Sequence, residues 1–151
     1  MSIFSHIRNL KRNLAATEAA TTLPLDRPLT PEECKLAEHL LRYAGVQGAA
    51  AFIPQLIQAR ATGRCSCGCP TVDLSVPSEL RVSYPPAKRL IADATGRVNG
   101  KVVGAMIFQD DGLLTLLEVY RLEDVSEDTF GLPSIETIER LVWDEPKEPT
   151  Q

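Results

Sequence analysis

The stretch LIADATGRVNGKVVGAMIFQDDGLLTLLEVYRL, residues 90–122, decides the fold. Leu90–Val98 and Lys101–Gln109 are strand-like runs joined by Asn99-Gly100. That pair is preferred in two-residue type I′ hairpins, where both central residues take positive φ. Asp110-Asp111-Gly112 turns the chain again, into a third run over 113–122. The reading is a three-stranded antiparallel meander.

Upstream, Val72, Leu74 and Val76 alternate with Thr71, Asp73 and Ser75, the pattern of a half-buried strand. Pro77 closes it, and the segment to Pro86 reads as a loop. Further back lies a well-marked helix start. Thr30 with Glu33 three residues on makes a capping box, and Pro31 takes the favoured first helical position. Cys34, Leu36, Ala37, Leu40, Leu41, Tyr43 and Ala44 fall on one broad arc, with Lys35, Glu38, His39 and Arg42 on the other. Gly45 ends the helix. A second helix is expected from about Ala49 to Ala61, beginning or bending at Pro54. Downstream, a third is expected at 134–142, with Ser134 as its cap. The predicted order is ααββββα, an α+β fold with helices and an antiparallel sheet in two layers.

The flanks differ from this body. Over residues 1–22, Ile3, Phe4, Ile7, Leu10 and Leu14 recur near helical spacing, with Arg8, Lys11, Arg12 and Asn13 between them. An amphipathic helix is expected there. Residues 15–22 follow as a linker and 23–31, with three prolines, as an extended strap. The domain reading is therefore a terminal helix and linker over 1–27, one α+β domain over 28–143 and an acidic tail over 144–151. A chain of 151 residues with 44% hydrophobic and 24% charged residues fits one domain with an ordinary core. No apolar run is long enough to cross a bilayer, and no secretory signal pattern is present. Cytoplasmic residence is the default expectation.

The net charge of −4 is unevenly spread. Residues 117–151 carry ten acids against Arg121, Arg140 and Lys147. This argues against a nucleic-acid backbone as partner, which needs clustered Lys and Arg. It suits a basic protein. Glu123, Asp124, Glu127 and Asp128, with Phe130 as apolar anchor, are the candidate partner-binding residues.

The most unusual stretch is Cys65-Ser66-Cys67-Gly68-Cys69-Pro70. In an extended chain the three sulfurs project to one side, the side of Thr71, Asp73 and Ser75, away from the core. A bulge at Gly68 or Pro70 would instead flip the register and bury them. Three roles remain open: small buried hydrophobes packing a turn, a redox or nucleophilic thiol beside Arg60 and Arg64, and a soft-metal site. For zinc, Cys65, Cys67 and Cys69 would need a fourth ligand. Cys34, on the apolar arc of the first helix, is the first candidate, and His39, on the polar arc, the weaker one. The C-x-C-x-C spacing departs from the usual C-x₂₋₄-C pairs.

The strings GRCSCGCPTVDL (63–74) and LLEVYRLEDV (116–125) resemble a family of small uncharacterised bacterial proteins. Those have a C-x-C-G-C-P strand, a glycine-turned hairpin and a later L-E-V-Y strand. The resemblance spans roughly residues 28–142. It implies the fold but brings no activity and no catalytic residue.

A search for catalysis finds little. His6 and His39 are the only histidines, and no nucleophile elbow, H-E-x-x-H, Walker A loop or G-x-G-x-x-G is present. Asp110-Asp111 reads as turn chemistry, and Glu118 as a sheet-face ion pair. The expectation is a non-catalytic protein-binding protein without cofactor, of the bacterial immunity type that neutralises a cognate toxin. The alternative is a zinc-binding or thiol-dependent regulatory protein that uses the cysteine cluster.

Overall fold

The structure, a computed structural model, describes residues 22–123 and 130–140. Its elements are β1 (Thr22–Pro28), α1 (Pro31–Tyr43), a 3₁₀ run (Ala49–Ile57), β2 (Arg60–Cys65), β3 (Val72–Ser75), β4 (Leu90–Val98), β5 (Lys101–Asp110), β6 (Leu113–Arg121) and β7 (Glu139–Arg140). Short 3₁₀ turns at Ser78–Leu80 and Ile135–Thr137 complete it. All the strands join one antiparallel sheet in the order β1-β2-β3-β6-β5-β4-β7. The fold is mixed α+β. The terminal helix expected within 1–22 and the acidic tail at 144–151 lie outside the described residues.

Both turns of the meander form as their residues dictate. Val98 pairs with Lys101 around Asn99 (φ 49°) and Gly100 (φ 78°). Asp110 pairs with Leu113 around Asp111 (φ 51°) and Gly112 (φ 83°). Each loop puts positive φ on its two central residues, as the right-handed twist of a tight hairpin requires.

Helix α1 also starts as expected. Thr30 Oγ1 accepts from the Glu33 N–H at 3.1 Å, and Glu33 Oε1 accepts from the Thr30 N–H at 2.8 Å. Arg27 of β1 then reaches across to both Glu33 oxygens, at 2.7 and 3.1 Å. Leu36, Ala37, Leu40 and Leu41 are buried against Phe52, Leu56 and the sheet residues Ile91, Ala94, Ala105, Leu117 and Val119. Tyr43, expected on the apolar arc, is instead 62% exposed.

Three segments differ from expectation. Residues 22–28, read as the end of a linker and an extended strap, form edge strand β1, so the domain boundary expected at 27/28 falls inside the sheet. Pro24 and Pro28 are tolerated there because an edge strand leaves one row of backbone donors unused. The second helix is a 3₁₀ run that stops at Ile57, and Arg60 and Ala61 belong to β2. Pro54 removes a helical donor, and the Gln55 carbonyl draws the chain out through the N–H groups of Gln58 and Ala59. The predicted third helix at 134–142 is a single 3₁₀ turn followed by β7, which pairs with Ala94 and Thr95. The Thr137 hydroxyl donates to the Ser134 carbonyl at 2.7 Å and accepts from the Arg97 N–H at 3.0 Å, so the chain is tied to the open edge of β4. The observed order therefore replaces ααββββα with a strand before the first helix and seven strands in place of four.

Two buried glutamine side chains hold the layers in register. Gln55, 1% exposed, donates to the carbonyls of Leu80 (3.0 Å) and Gly112 (2.8 Å), and its Oε1 accepts from the Leu114 N–H at 3.0 Å. Gln109 donates to the carbonyls of Pro86 and Lys88 and accepts from the Gly112 N–H at 2.9 Å. Gly112 has no room for a side chain: a Cβ would lie 2.6 Å from the Val82 carbonyl oxygen.

Two outcomes are expected. Gln55→Leu keeps the volume but strips partners from buried backbone groups, at about 1–3 kcal/mol for each one left unsatisfied. Urea unfolding should show a loss of about 2–4 kcal/mol, whereas exposed Gln58→Leu should change little. The second concerns pH. Burial alone would raise the Glu33 carboxyl, but the Arg27 hydrogen bonds, the Thr30 N–H, the nearby guanidinium charge and the Thr30 hydroxyl together hold it below its ordinary range. A carboxyl depressed in the folded state contributes stability above its unfolded value, about 4.3, and loses it as pH falls through the lower folded value. Glu33→Gln should thus be less stable than the parent at pH 7, and in urea titrations the gap should narrow progressively as pH falls below the unfolded value of about 4.3.

Candidate metal centre

The three clustered cysteines occupy the hairpin between β2 and β3. Cys65 is the last residue of β2, and its backbone pairs with Thr22 at the start of β1. The chain then turns. The Gly68 N–H donates to the Cys65 carbonyl at 3.4 Å, and Gly68 takes φ 87°, a conformation that favours glycine. At the far side, Thr71 replaces a missing ladder pair. Its hydroxyl donates to the Val119 carbonyl and accepts from the Val119 N–H, both at 3.0 Å. The turn is thus held at both ends by the sheet.

This curl gathers side chains that a straight strand would space along its length. The sulfurs of Cys65, Cys67 and Cys69 all lie within 4.8 Å of one another. Cys67 is exposed, Cys65 half-buried and Cys69 buried. Cys65 Sγ and Cys67 Sγ approach to 2.8 Å, and the Cys69 N–H points to Cys67 Sγ at 3.4 Å. A disulfide would need about 2.0 Å. Tetrahedral zinc with Zn–S near 2.3 Å would set sulfurs ~3.8 Å apart, so Cys67 must swing outward by about 1 Å to share an ion with Cys65. Being exposed, it has room to do so.

The register question left by the sequence resolves in part. A bulge exists, but between Ala61 and Gly63 rather than at Gly68 or Pro70. Gly63 therefore pairs with Asp73, while Ala61 pairs with the core residue Leu74. Of the three thiols only Cys69 is buried.

Cys34, the expected fourth ligand, does not join this group. It sits in the first turn of α1, packed against the main core. Burial, and then the charges of Glu33 and Glu38, raise its thiol above the ordinary value and keep it protonated. His39 lies against Tyr43 on the same helix, with ring centroids 4.9 Å apart. Among the described residues the cluster is a three-sulfur site whose further ligand would come from solvent or from elsewhere.

The acidic candidates are only partly described. Asp124, Glu127 and Asp128 lie outside the described residues. Glu123 is exposed, and its Oε2 accepts from the Val102 N–H at 3.1 Å, extending the β5–β6 ladder beyond its last strand pair. Phe130 is half-buried against the main core, with the Arg121 guanidinium 5.1 Å from its ring centre. The anchor expected to be free for a partner is thus partly engaged by the chain itself. No helix among the described residues is long and apolar enough to cross a membrane.

Sequence reasoning missed the two threonines that fix the turn, Thr22 and Thr71. Thr71 was visible only as the first polar residue of the alternating run. No family model, no curated protein and no solved structure matches the chain.

The geometry orders thiol reactivity. Under limiting iodoacetamide at pH 7.5, mass spectrometry of peptides should show Cys67 alkylated first and Cys34 among the last, since attack needs an accessible thiolate. Cys34 labelling ahead of Cys67 would contradict this placement.

Proposed function

We propose that the protein binds a thiophilic metal ion, zinc in the first instance, through Cys65, Cys67 and Cys69. The observation that carries this reading is the convergence of the three sulfurs at one strand-anchored turn. Three thiolates supply most of a zinc coordination shell, and a solvent-facing ligand such as Cys67 lets an ion enter and leave. An open fourth position suits either exchange of the ion with a partner or a regulatory role, and the seven-stranded sheet acts as a rigid frame.

The close approach of Cys65 and Cys67 favours a second, thiol-dependent reading. In it hydrogen peroxide takes two electrons from the pair: the S–S bond forms, the O–O bond breaks, and its two oxygens leave as two waters that take up both thiol protons. Oxidation would remove two of the three ligands, so the two readings exclude each other at any one moment.

The reading from charge, an immunity-type protein that caps a basic toxin with Glu123, Asp124, Glu127, Asp128 and Phe130, is less well supported. It draws on composition and on the exposure of Glu123, while the described contacts of Glu123 and Phe130 are internal.

The test is metal content. The full chain, purified under reducing conditions and dialysed against zinc, should hold about one ion per chain, and a chelator should lower its melting temperature. Cys67→Ser and Cys69→Ser should each reduce that content, while Cys34→Ser leaves it unchanged. Metal-free protein whose melt ignores the chelator would sink the reading. A loss of two mass units confined to the 65–67 peptide after peroxide treatment would then favour the redox alternative.

A further inference from the structure

Among the described residues the thiol turn brings together three donors, all of them sulfur, with no imidazole or carboxylate in the group. All three come from one five-residue span, Cys65 to Cys69, so they approach an ion from one side. Cys34, which would have closed a tetrahedron, stands outside the group. Such a set matches an ion that makes three bonds and needs no fourth.

Spacing narrows the choice. Cys65 Sγ and Cys67 Sγ stand 2.8 Å apart, well inside the ~3.8 Å that tetrahedral zinc imposes. A planar three-coordinate ion such as Cu(I) spreads its ligands wider still at the same bond length, because its angles are larger. An ion at the apex of a trigonal pyramid has the smallest angles and draws its ligands closest. Trivalent arsenic forms such pyramids, with a lone pair on the side where zinc takes a further ligand.

Charge points the same way. Three thiolates leave one negative charge on a zinc complex and two on a Cu(I) complex, but none on a complex of a trivalent ion. Any residual charge would sit beside Cys69, which is only 9% exposed. Asp73 Oδ2 packs over Gly63, on the face that Gly63 shares with Cys65. The two arginines of β2 offer little compensation. Arg60 is paired with Asp26 at 2.7 Å, and Arg64 lies opposite the core residue Val72, on the other face from Cys65. Burying net charge without a counter-ion is costly, and a neutral complex avoids that cost.

We infer that the Cys65–Cys67–Cys69 turn takes trivalent arsenic, presented as arsenite, more tightly than it takes zinc. The inference rests on the reading that these sulfurs hold a thiophilic ion, and it names the ion they fit. The binding step is a condensation. Three S–As bonds form as three As–O bonds of As(OH)₃ break, and each thiol proton leaves with one hydroxyl group as water. Arsenic stays trivalent, so no oxidant or reductant takes part.

The experiment titrates the reduced full chain with sodium arsenite in the absence of oxygen. Native mass spectrometry should show one arsenic per chain with three protons lost, the signature of three S–As bonds. Zinc-loaded protein should release its zinc to an equal amount of arsenite, read with a chromogenic zinc indicator. Cys67→Ser, a change at an exposed position, should weaken arsenite binding about a hundredfold or more, because each bond lost from a chelate removes an intramolecular step. Its remaining adduct should keep one hydroxyl on arsenic, while Cys34→Ser behaves as the parent. Zinc retained in the presence of arsenite overturns the inference and leaves the metal reading standing. A parent adduct that keeps a hydroxyl, and so has only two S–As bonds, also overturns it. Binding of neither ion sinks both.

Discussion

A buried amide holds the layers of this protein together. Gln55 has three hydrogen-bonding contacts to groups that no helix or strand ladder would otherwise satisfy, and they lie on two separate pieces of chain, the loop at Leu80 and the turn from Gly112 to Leu114. Its Nε2 binds the loop at Leu80 and the turn at Gly112, while its Oε1 fixes the start of β6. Gln109 approaches the same glycine from the other side. An amide suits this position because it carries donors and an acceptor at one end of a short stem and bears no charge. An apolar residue would fill the space but leave backbone groups dry and unpaired, which a protein interior rarely accepts. The position of the 3₁₀ run against the meander follows from this junction, and with it the placement of β2, which leaves that run three residues later.

What could be read from the sequence was local chemistry. Asn99-Gly100 and Asp111-Gly112 encode their turns within two residues, and Thr30 with Glu33 encodes a helix start within four. These features formed as read because the partner of each group lies a few residues away. The misread segments take their state from distant partners. β1 exists because β2 lies beside it, and β7 because β4 has an open edge at Ala94 and Thr95. Residues 134–140 carry a helical pattern of apolar residues, yet Thr137 finds its partner in Arg97, forty positions upstream. The three cysteines were legible as a cluster. Their convergence was not, because it depends on the φ of Gly68 and on the grip of Thr71 upon Val119. Cys34 was chosen for its arc on the helix, but the arc gives a direction and no distance, and the distance excludes it from the group.

The thiol turn and the meander share one end of the sheet. Thr71 is bonded to Val119 of β6, and Val72 pairs with Leu117, so the turn is braced by the central strand of the sheet. Within it Cys69 is buried and Cys67 exposed, so the three thiols differ in their access to solvent.

Gly104 lies directly beneath the ring of Tyr120 on the neighbouring strand, and any Cβ at that position would enter the ring. Ring and hollow are thus two halves of one fitting. A methyl group at 104 fits only with a smaller residue at 120, and loss of the ring alone uncovers the backbone of the neighbouring strand. The two positions are thus sterically coupled, and the effect of a change at one depends on what stands at the other.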